Sequence, residues 1–234
     1  MIFFKKSKIT IDCFVTNESI SELFPIVPLV EMLPKWWKSI PKEVPVENFP
    51  IGMSTIKRCP GFKDLFRNSL CIPAWSQYRL YQDPEHGFSH IAPNSITGGQ
   101  QHREGQMAGA FPNYQHYKLL SPWMLKEKDG VSFIMSQASW HQADPCQFHI
   151  PTGSLEFKYQ HSTHVNLVSP RQQKLREIDI EAGQPLVYLT PMSEKEVKIA
   201  IHVVNEFEYN KLKTYHHSFH NSYELTRKIL KDRT

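Results

Sequence analysis

The stretch Ser121–Gln137, SPWMLKEKDGVSFIMSQ, decides the fold class. Two apolar runs, 123–125 and 131–135, flank a polar connection ending in Asp129-Gly130, and Asp-Gly between such runs is a strong short-range hairpin signal. In the second run Val131, Phe133 and Met135 fall on one face and Ser132, Ile134 and Ser136 on the other, the two-residue period of a strand with one buried face. This predicts a hairpin at the centre of a β domain, with Trp123 and Phe133 as its core anchors.

Outward from that centre, composition limits the alternatives. The 234 residues suffice for one large domain that needs no staples. Hydrophobic residues make up 40% and charged ones 21%, ordinary for a globular chain and unlike a disordered one. Seventeen prolines and 12% aromatics against ten glycines favour a β-rich domain with proline-punctuated connections over a helical bundle. The net charge of +4 is spread along the chain without the dense Lys/Arg run of a nucleic-acid arm, so no nucleic acid is expected. Cys13, Cys59, Cys71 and Cys146 are scattered, with no Cys-x-x-Cys pair, and read as free thiols in a reducing compartment. The N-terminal MIFFKKSKITIDCF turns charged after three apolar residues, unlike a secretory signal, and no window approaches the ~18 apolar residues of a membrane span. A soluble, intracellular protein, or part of an assembly built inside a cell, is the expectation.

Along the chain, Ile9, Ile11 and Cys13 alternate as a first strand, and Asn17 is placed to cap a short helix through Phe24. From Pro25 to Pro50 six prolines fall in 26 residues, which predicts an extended, irregular arm. Trp36 and Trp37 sit in its middle. They either clamp the arm onto its own domain or dock on a neighbouring subunit as anchor residues. Pro60 opens a short amphipathic helix whose Phe62, Leu65 and Phe66 share a face. Leu70–Trp75 and Tyr78–Tyr81 follow as an apolar run and a strand, and 98–109, with four of the ten glycines, reads as a mobile surface loop. Leu155, Phe157 and Tyr159 predict a half-buried strand, continued in β character from His161 to Val168. Ala182-Gly183-Gln184-Pro185 is a turn, and 186–190 with 195–204 a second hairpin that places Val197, Ile199, Ile201 and Val203 on one face. From Asn205 the pattern turns helical, ending in a helix striped by Leu225, Thr226, Ile229 and Leu230 that Asn221 could cap.

Most enzymatic signatures are missing. There is no Gly-x-x-x-x-Gly-Lys cradle, no Gly-x-Gly-x-x-Gly turn and no Gly-x-Ser-x-Gly elbow. Cys71 or Cys146 with some histidine remains a formal nucleophile pair. Among twelve histidines, His141, His149, His161 and His164 with Asp144 and Glu156 form the one metal-like constellation. Its spacing is poor: His161 and His164 would point to opposite faces of a regular strand, and His141-Gln142-Ala143-Asp144 is one residue too long for a His-x-Asp facial site. Neutral histidines satisfied by local hydrogen bonds are the favoured reading.

Three pieces carry a resemblance to a family: Leu33-Pro34-Lys35-Trp36-Trp37-Lys38; the run from Thr55 to Asp64 leading to Ile72-Pro73-Ala74-Trp75; and Ser121-Pro122-Trp123 with Ala182-Gly183-Gln184-Pro185 downstream. On these the chain resembles an uncharacterised family of tailed bacteriophages, especially those of marine cyanobacteria, with similar proteins in bacteria. Where relatives carry a Pro-Gly-Tyr turn, this chain has Lys128-Asp129-Gly130. The resemblance implies a phage setting and a β-rich fold, and carries over no catalytic residues.

The expected fold is mainly β: an antiparallel β-sandwich or jelly-roll-like domain over residues 1–204, with a Pro-rich extended N-terminal arm at 25–50, one short internal helix and a C-terminal helical tail at 205–234. The expected function is that of a phage-type protein acting by binding or assembly, a virion component or a host-interacting protein in the host cytoplasm or virion. It would work without catalysis or cofactor, through a protein partner or self-association and away from membranes. Its candidate binding residues are Trp36, Trp37, Trp140, His141, His149 and His161, with no metal. One alternative is a cupin-like metal or small-molecule site built on His141, His149 and His161, and another is an inhibitor of a host enzyme or defence system.

Overall fold

The structure is a computed structural model that describes residues 8–47, 52–83, 87–91, 99–101, 109–142, 147–171, 174–213 and 228–229. The first strands and helices are β1 (Ile9–Val15), α1 (Glu18–Leu23), β2 (Val27–Pro28), α2 (Lys35–Ser39), β3 (Glu43–Val44), β4 (Met53–Ser54) and α3 (Pro60–Asn68). Next come β5 (Leu70–Pro73), β6 (Tyr78–Asp83), β7 (Gly87–Ile91), β8 (Gly99–Gln101), β9 (Tyr114–Leu119), β10 (Met124–Glu127) and β11 (Ser132–Gln137). The last are β12 (Gly153–Glu156), β13 (Val165–Pro170), β14 (Arg176–Ile180), β15 (Pro185–Pro191), β16 (Val197–Val203) and α4 (Glu206–Lys213). The fold is mainly β and sandwich-like, as the composition and alternation predict.

A five-stranded antiparallel sheet, β12-β11-β15-β5-β2, is flanked by three three-stranded sheets, β10-β1-β16, β13-β9-β8 and β14-β6-β7. The main core is shared by all four: Ile11 and Cys13 from β1, Tyr78 and Leu80 from β6, Leu119 from β9, Phe133 from β11, Leu167 from β13, Ile178 from β14 and Leu189 from β15 are all buried in it. A second cluster lies on the opposite face of the five-stranded sheet, where Cys71 and Tyr188 meet Phe62 and Phe66 of α3, Trp37 of α2, Leu29 and Ala138. All four residues of β5 are buried.

The local signals behave as expected where they rest on period or capping. On β1 the inward residues Ile9, Ile11 and Cys13 are fully buried, and the Asn17 side chain accepts the Ile20 N–H at the start of α1. Pro60 occupies the first turn of α3, where its missing N–H costs nothing. Gly183 takes a positive φ of 81° in the turn before β15. The tail begins as α4, which docks through the Tyr209 hydroxyl donating to the Pro122 carbonyl at 2.6 Å. The stripe expected further on lies outside the described residues apart from helical 228–229.

The hairpin expected at Ser121–Gln137 does not form. β10 pairs with β1, Leu125 opposite Cys13, whereas β11 pairs with β12 and β15 in the five-stranded sheet. Both edges of β11 are taken, and the far side of β10 is met by the 157–162 segment, with the Leu125 N–H donating to the His161 carbonyl at 2.8 Å. Asp129-Gly130 does turn the chain, with Gly130 at φ 74°, but as a corner between sheets. Its lock is Glu127, 1% exposed. The Glu127 carboxylate accepts the N–H groups of Asp129, of Gly130 at 2.8 Å and of Val131 at 2.9 Å.

The second expected hairpin fails for the same reason. β16 leaves β15 and pairs in parallel with β1, Ile9 opposite Val197 through Val15 opposite Val203. Its apolar face is half used: Val197 and Ile199 pack against the core, while Ile201 and Val203 are 40% and 50% exposed. The strand expected through Tyr159 stops at Glu156, whose carbonyl accepts from the N–H of Tyr159 and Gln160, so Phe157 and Tyr159 reach the interior from a turn. Of the loop expected over 98–109, residues 99–101 form β8, and only Gly109 of the rest is described. The proline-rich segment holds only short elements, as its prolines dictate. It is not extended throughout, however, because α2 carries the tryptophan pair.

Replacing Glu127 with Ala leaves three N–H groups of the corner without their acceptor. A loss of about 2–4 kcal/mol in unfolding free energy is expected, read from denaturant midpoints at unchanged slope.

Candidate binding cleft

Pro34 sets the chain for a five-residue helix, and neighbouring residues on a helix project about 100° apart. Trp37 therefore turns inward, 9% exposed, while Trp36 points to the rim, 37% exposed. Trp37 stacks on Phe62 at a centroid distance of 4.1 Å, and Phe62 stacks on Phe66 at 4.4 Å. Of the two readings of the pair, the clamp on its own domain describes Trp37. Trp36 is a different case: its indole N–H donates to the Trp140 carbonyl at 3.1 Å, and its ring lies 5.9 Å from that of Trp140 at 44°. Trp140, 41% exposed, also meets Phe62 edge-on at 5.1 Å.

His141 sits beneath this pair. A carbonyl only accepts, so the bond between Nε2 and the Met32 carbonyl places the proton on Nε2. Nδ1 is then the acceptor, and the Tyr188 hydroxyl donates to it at 2.6 Å. Burial lowers the imidazole pKa, partly offset by the Met32 carbonyl, and burial raises that of Tyr188. The ring is thus a neutral tie between the central sheet and the proline-rich segment.

Trp140 and His141 lie on a single helical turn, and Gln137 fixes the segment that carries them. Its amide N–H donates to the Gln142 side chain and, at 3.1 Å, to the Phe148 carbonyl, while its carbonyl accepts the Ile150 N–H at 3.0 Å. One buried side chain thereby closes both ends of the 138–150 loop.

Beside this loop opens a cleft of about 790 Å³, lined by residues of the 34–36, 140–142 and 147–148 segments together with Asp179, Glu181, Gln184 and Pro185. Asp179 is held by Arg79 through two bonds, 2.7 and 3.2 Å, which keep its carboxyl below the ordinary carboxylate range. The glutamines and acidic residues of the rim come from separate segments with no shared sequence pattern, so the linear chain gave no sign of them.

The histidines of the metal-like constellation make separate local contacts. The exposed His149 joins Val168 through backbone bonds of 2.7 and 2.8 Å. His161 is buried, its Nδ1–H shared between the carbonyls of Leu125 at 2.9 Å and Phe157 at 3.1 Å. His164 accepts the Ser121 N–H at 3.1 Å. Among the described residues no group of three or more His, Cys, Asp or Glu could hold a metal ion; Asp144 and Cys146 lie outside them. Cys71 is fully buried and its thiol is pushed up to about 12, a poor setting for a nucleophile. No helix among the described residues is long and apolar enough to cross a membrane.

No protein-family model matches the sequence, and a search of curated proteins finds no match.

Because the folded-state pKa of His141 lies below its ordinary value of 6.5, the unfolded chain binds the proton first as pH falls. The stability this neutral ring contributes is whole above about pH 6.5 and is lost as pH falls through the folded pKa. His141→Gln is expected to flatten that part of the stability–pH curve relative to the unaltered chain, measured by denaturation across pH 5 to 8 (roughly the range in which an imidazole titrates).

Proposed function

We propose that this chain is a phage-type protein that acts by binding or assembly, as a virion component or a host-interacting protein, and not by catalysis. The supporting observation is the Trp36–Trp140 ledge: two tryptophans, 37% and 41% exposed, with the Trp36 indole N–H held by the Trp140 backbone carbonyl, lining an open cleft. Exposed tryptophans held rigid are the residues that most often dominate binding energy, since a rigid ring loses little freedom on contact. The resemblance of Leu33–Lys38, of Thr55–Asp64 with Ile72–Trp75, and of Ser121–Trp123 with Ala182–Pro185 to tailed-phage proteins supports the setting, a host cytoplasm or a virion. The partner is a phage or host component, or a second copy of the chain.

Mass spectrometry of purified particles, and of cross-linked complexes from infected cells, tests this. The chain is expected in one of them, with recovery falling roughly tenfold or more for Trp140→Ala at unchanged circular dichroism. A chain that stays monomeric and is recovered alone overturns the reading.

A further inference from the structure

We infer that the Trp36–Trp140 cleft is a saccharide site, taking a neutral, hydroxyl-rich ring whose C–H face lies on the tryptophan ledge. This rests on the binding reading and names what the cleft takes. The Trp36 N–H is committed to the Trp140 carbonyl, so Trp36 offers its ring face and no polar edge. The two ring centroids lie 5.9 Å apart at 44°, so the rings are adjacent and form a bent ledge and not two facing walls of a cage.

Charge disfavours an anionic ligand. Asp179 is paired with Arg79, which Glu177 also approaches at 3.9 Å, and His141 is neutral with both ring nitrogens bonded. Lys35 and Glu181 remain, one of each sign, and neither makes an ion pair among the described residues. The described lining therefore carries no net positive charge to draw a phosphate.

Hydrogen-bonding groups at the rim match a polyol. The amide oxygens of Gln142 and Gln184 are already accepting, from Gln137 and from the Glu181 N–H, which leaves their NH₂ groups as donors. The Gln147 amide has no partner among the described residues, and the Glu181 carboxylate is an acceptor. Hydroxyls both donate and accept, so a sugar satisfies this mixed set. A proline-rich peptide stacks on aromatics but offers mainly carbonyls and few donors to match the Glu181 carboxylate. An apolar ligand strands every one of these groups, at a desolvation cost. The cleft volume of about 790 Å³ falls within the usual range for small-ligand sites.

The test titrates the full chain with neutral disaccharides (maltose, cellobiose and the N-acetylglucosamine dimer), with a proline-rich peptide and with adenosine. Tryptophan emission is read alongside calorimetry, which detects binding that leaves emission unchanged. At least one saccharide is expected to bind saturably, with affinity changing less than roughly twofold between low and high salt because the saccharide carries no charge to be screened. Trp140→Ala is expected to weaken it by roughly tenfold or more, Trp140→Phe to restore most of the loss, and Gln147→Ala to weaken it several-fold with no effect on the aromatic cluster. Absence of saturable binding by any of the saccharides overturns the inference, as does binding of the peptide or adenosine alone. In either case, Trp140-dependent recovery from particles or cells leaves the broader binding reading standing.

Discussion

Strands buried on both faces, β5 and the centre of β15, must be covered twice, and the rest of the structure follows from that requirement. In β15, Val187 and Leu189 enter the main core while Tyr188 between them enters the second cluster. The main core is closed by the three smaller sheets, but the Tyr188 face meets no sheet among the described residues. It is closed by α3 and the proline-rich segment, through the Trp37–Phe62–Phe66 stack. Full burial of each such side chain contributes about 1.5–3 kcal/mol, so a segment with little regular structure of its own is held by side chains and not by backbone ladders.

The polar groups under this cover follow from the same geometry. Tyr188 brings a hydroxyl into an apolar layer, where an unmade hydrogen bond is costly. His141 supplies the acceptor and passes its own N–H to the Met32 carbonyl. Three segments remote in sequence are thus joined by one ring with both nitrogens engaged. That arrangement answers the metal question for His141 on physical grounds, because a ligating nitrogen would have to abandon a bond that the buried layer requires. His161, pinned by two carbonyls beside β10, is engaged in the same manner elsewhere in the fold.

How much of this could be read in the sequence depended on distance along the chain. The alternation of Ile9, Ile11 and Cys13, the Asn17 cap, Pro60 opening α3 and the Ala182-Gly183 turn are local, and each appears where its residues indicate. Pairing is not local. The Asp129-Gly130 turn was legible, but whether β10 and β11 would face each other depended on β1, β12 and β15 competing for the same edges. Glu127 gave no warning either, since a glutamate before a turn looks solvent-exposed until three N–H groups converge on it. In the site, the tryptophans were visible as types, whereas Gln137 was not, because its task is defined by the Phe148 and Ile150 backbone it meets in space.

The ledge at the cleft is a consequence of the cover beneath it. Once Trp37 must face inward to stack on Phe62, the helical twist carries Trp36 outward, and the Trp140 carbonyl is placed to receive its N–H. Two exposed rings are then held without any ligand, since each is fixed by a residue whose position the core already dictates. Rigid aromatic surface of this kind gives up little conformational entropy when something settles on it, whereas a loop-borne tryptophan must first be ordered. Trp37, Phe62 and Phe66 close the second cluster, and Trp36 and Trp140 extend it to the rim, edge-on to Phe62 at 5.7 and 5.1 Å. Their exposure follows from that position: each packs against one edge of the cluster, leaving 37% and 41% of the residue to solvent beside the cleft.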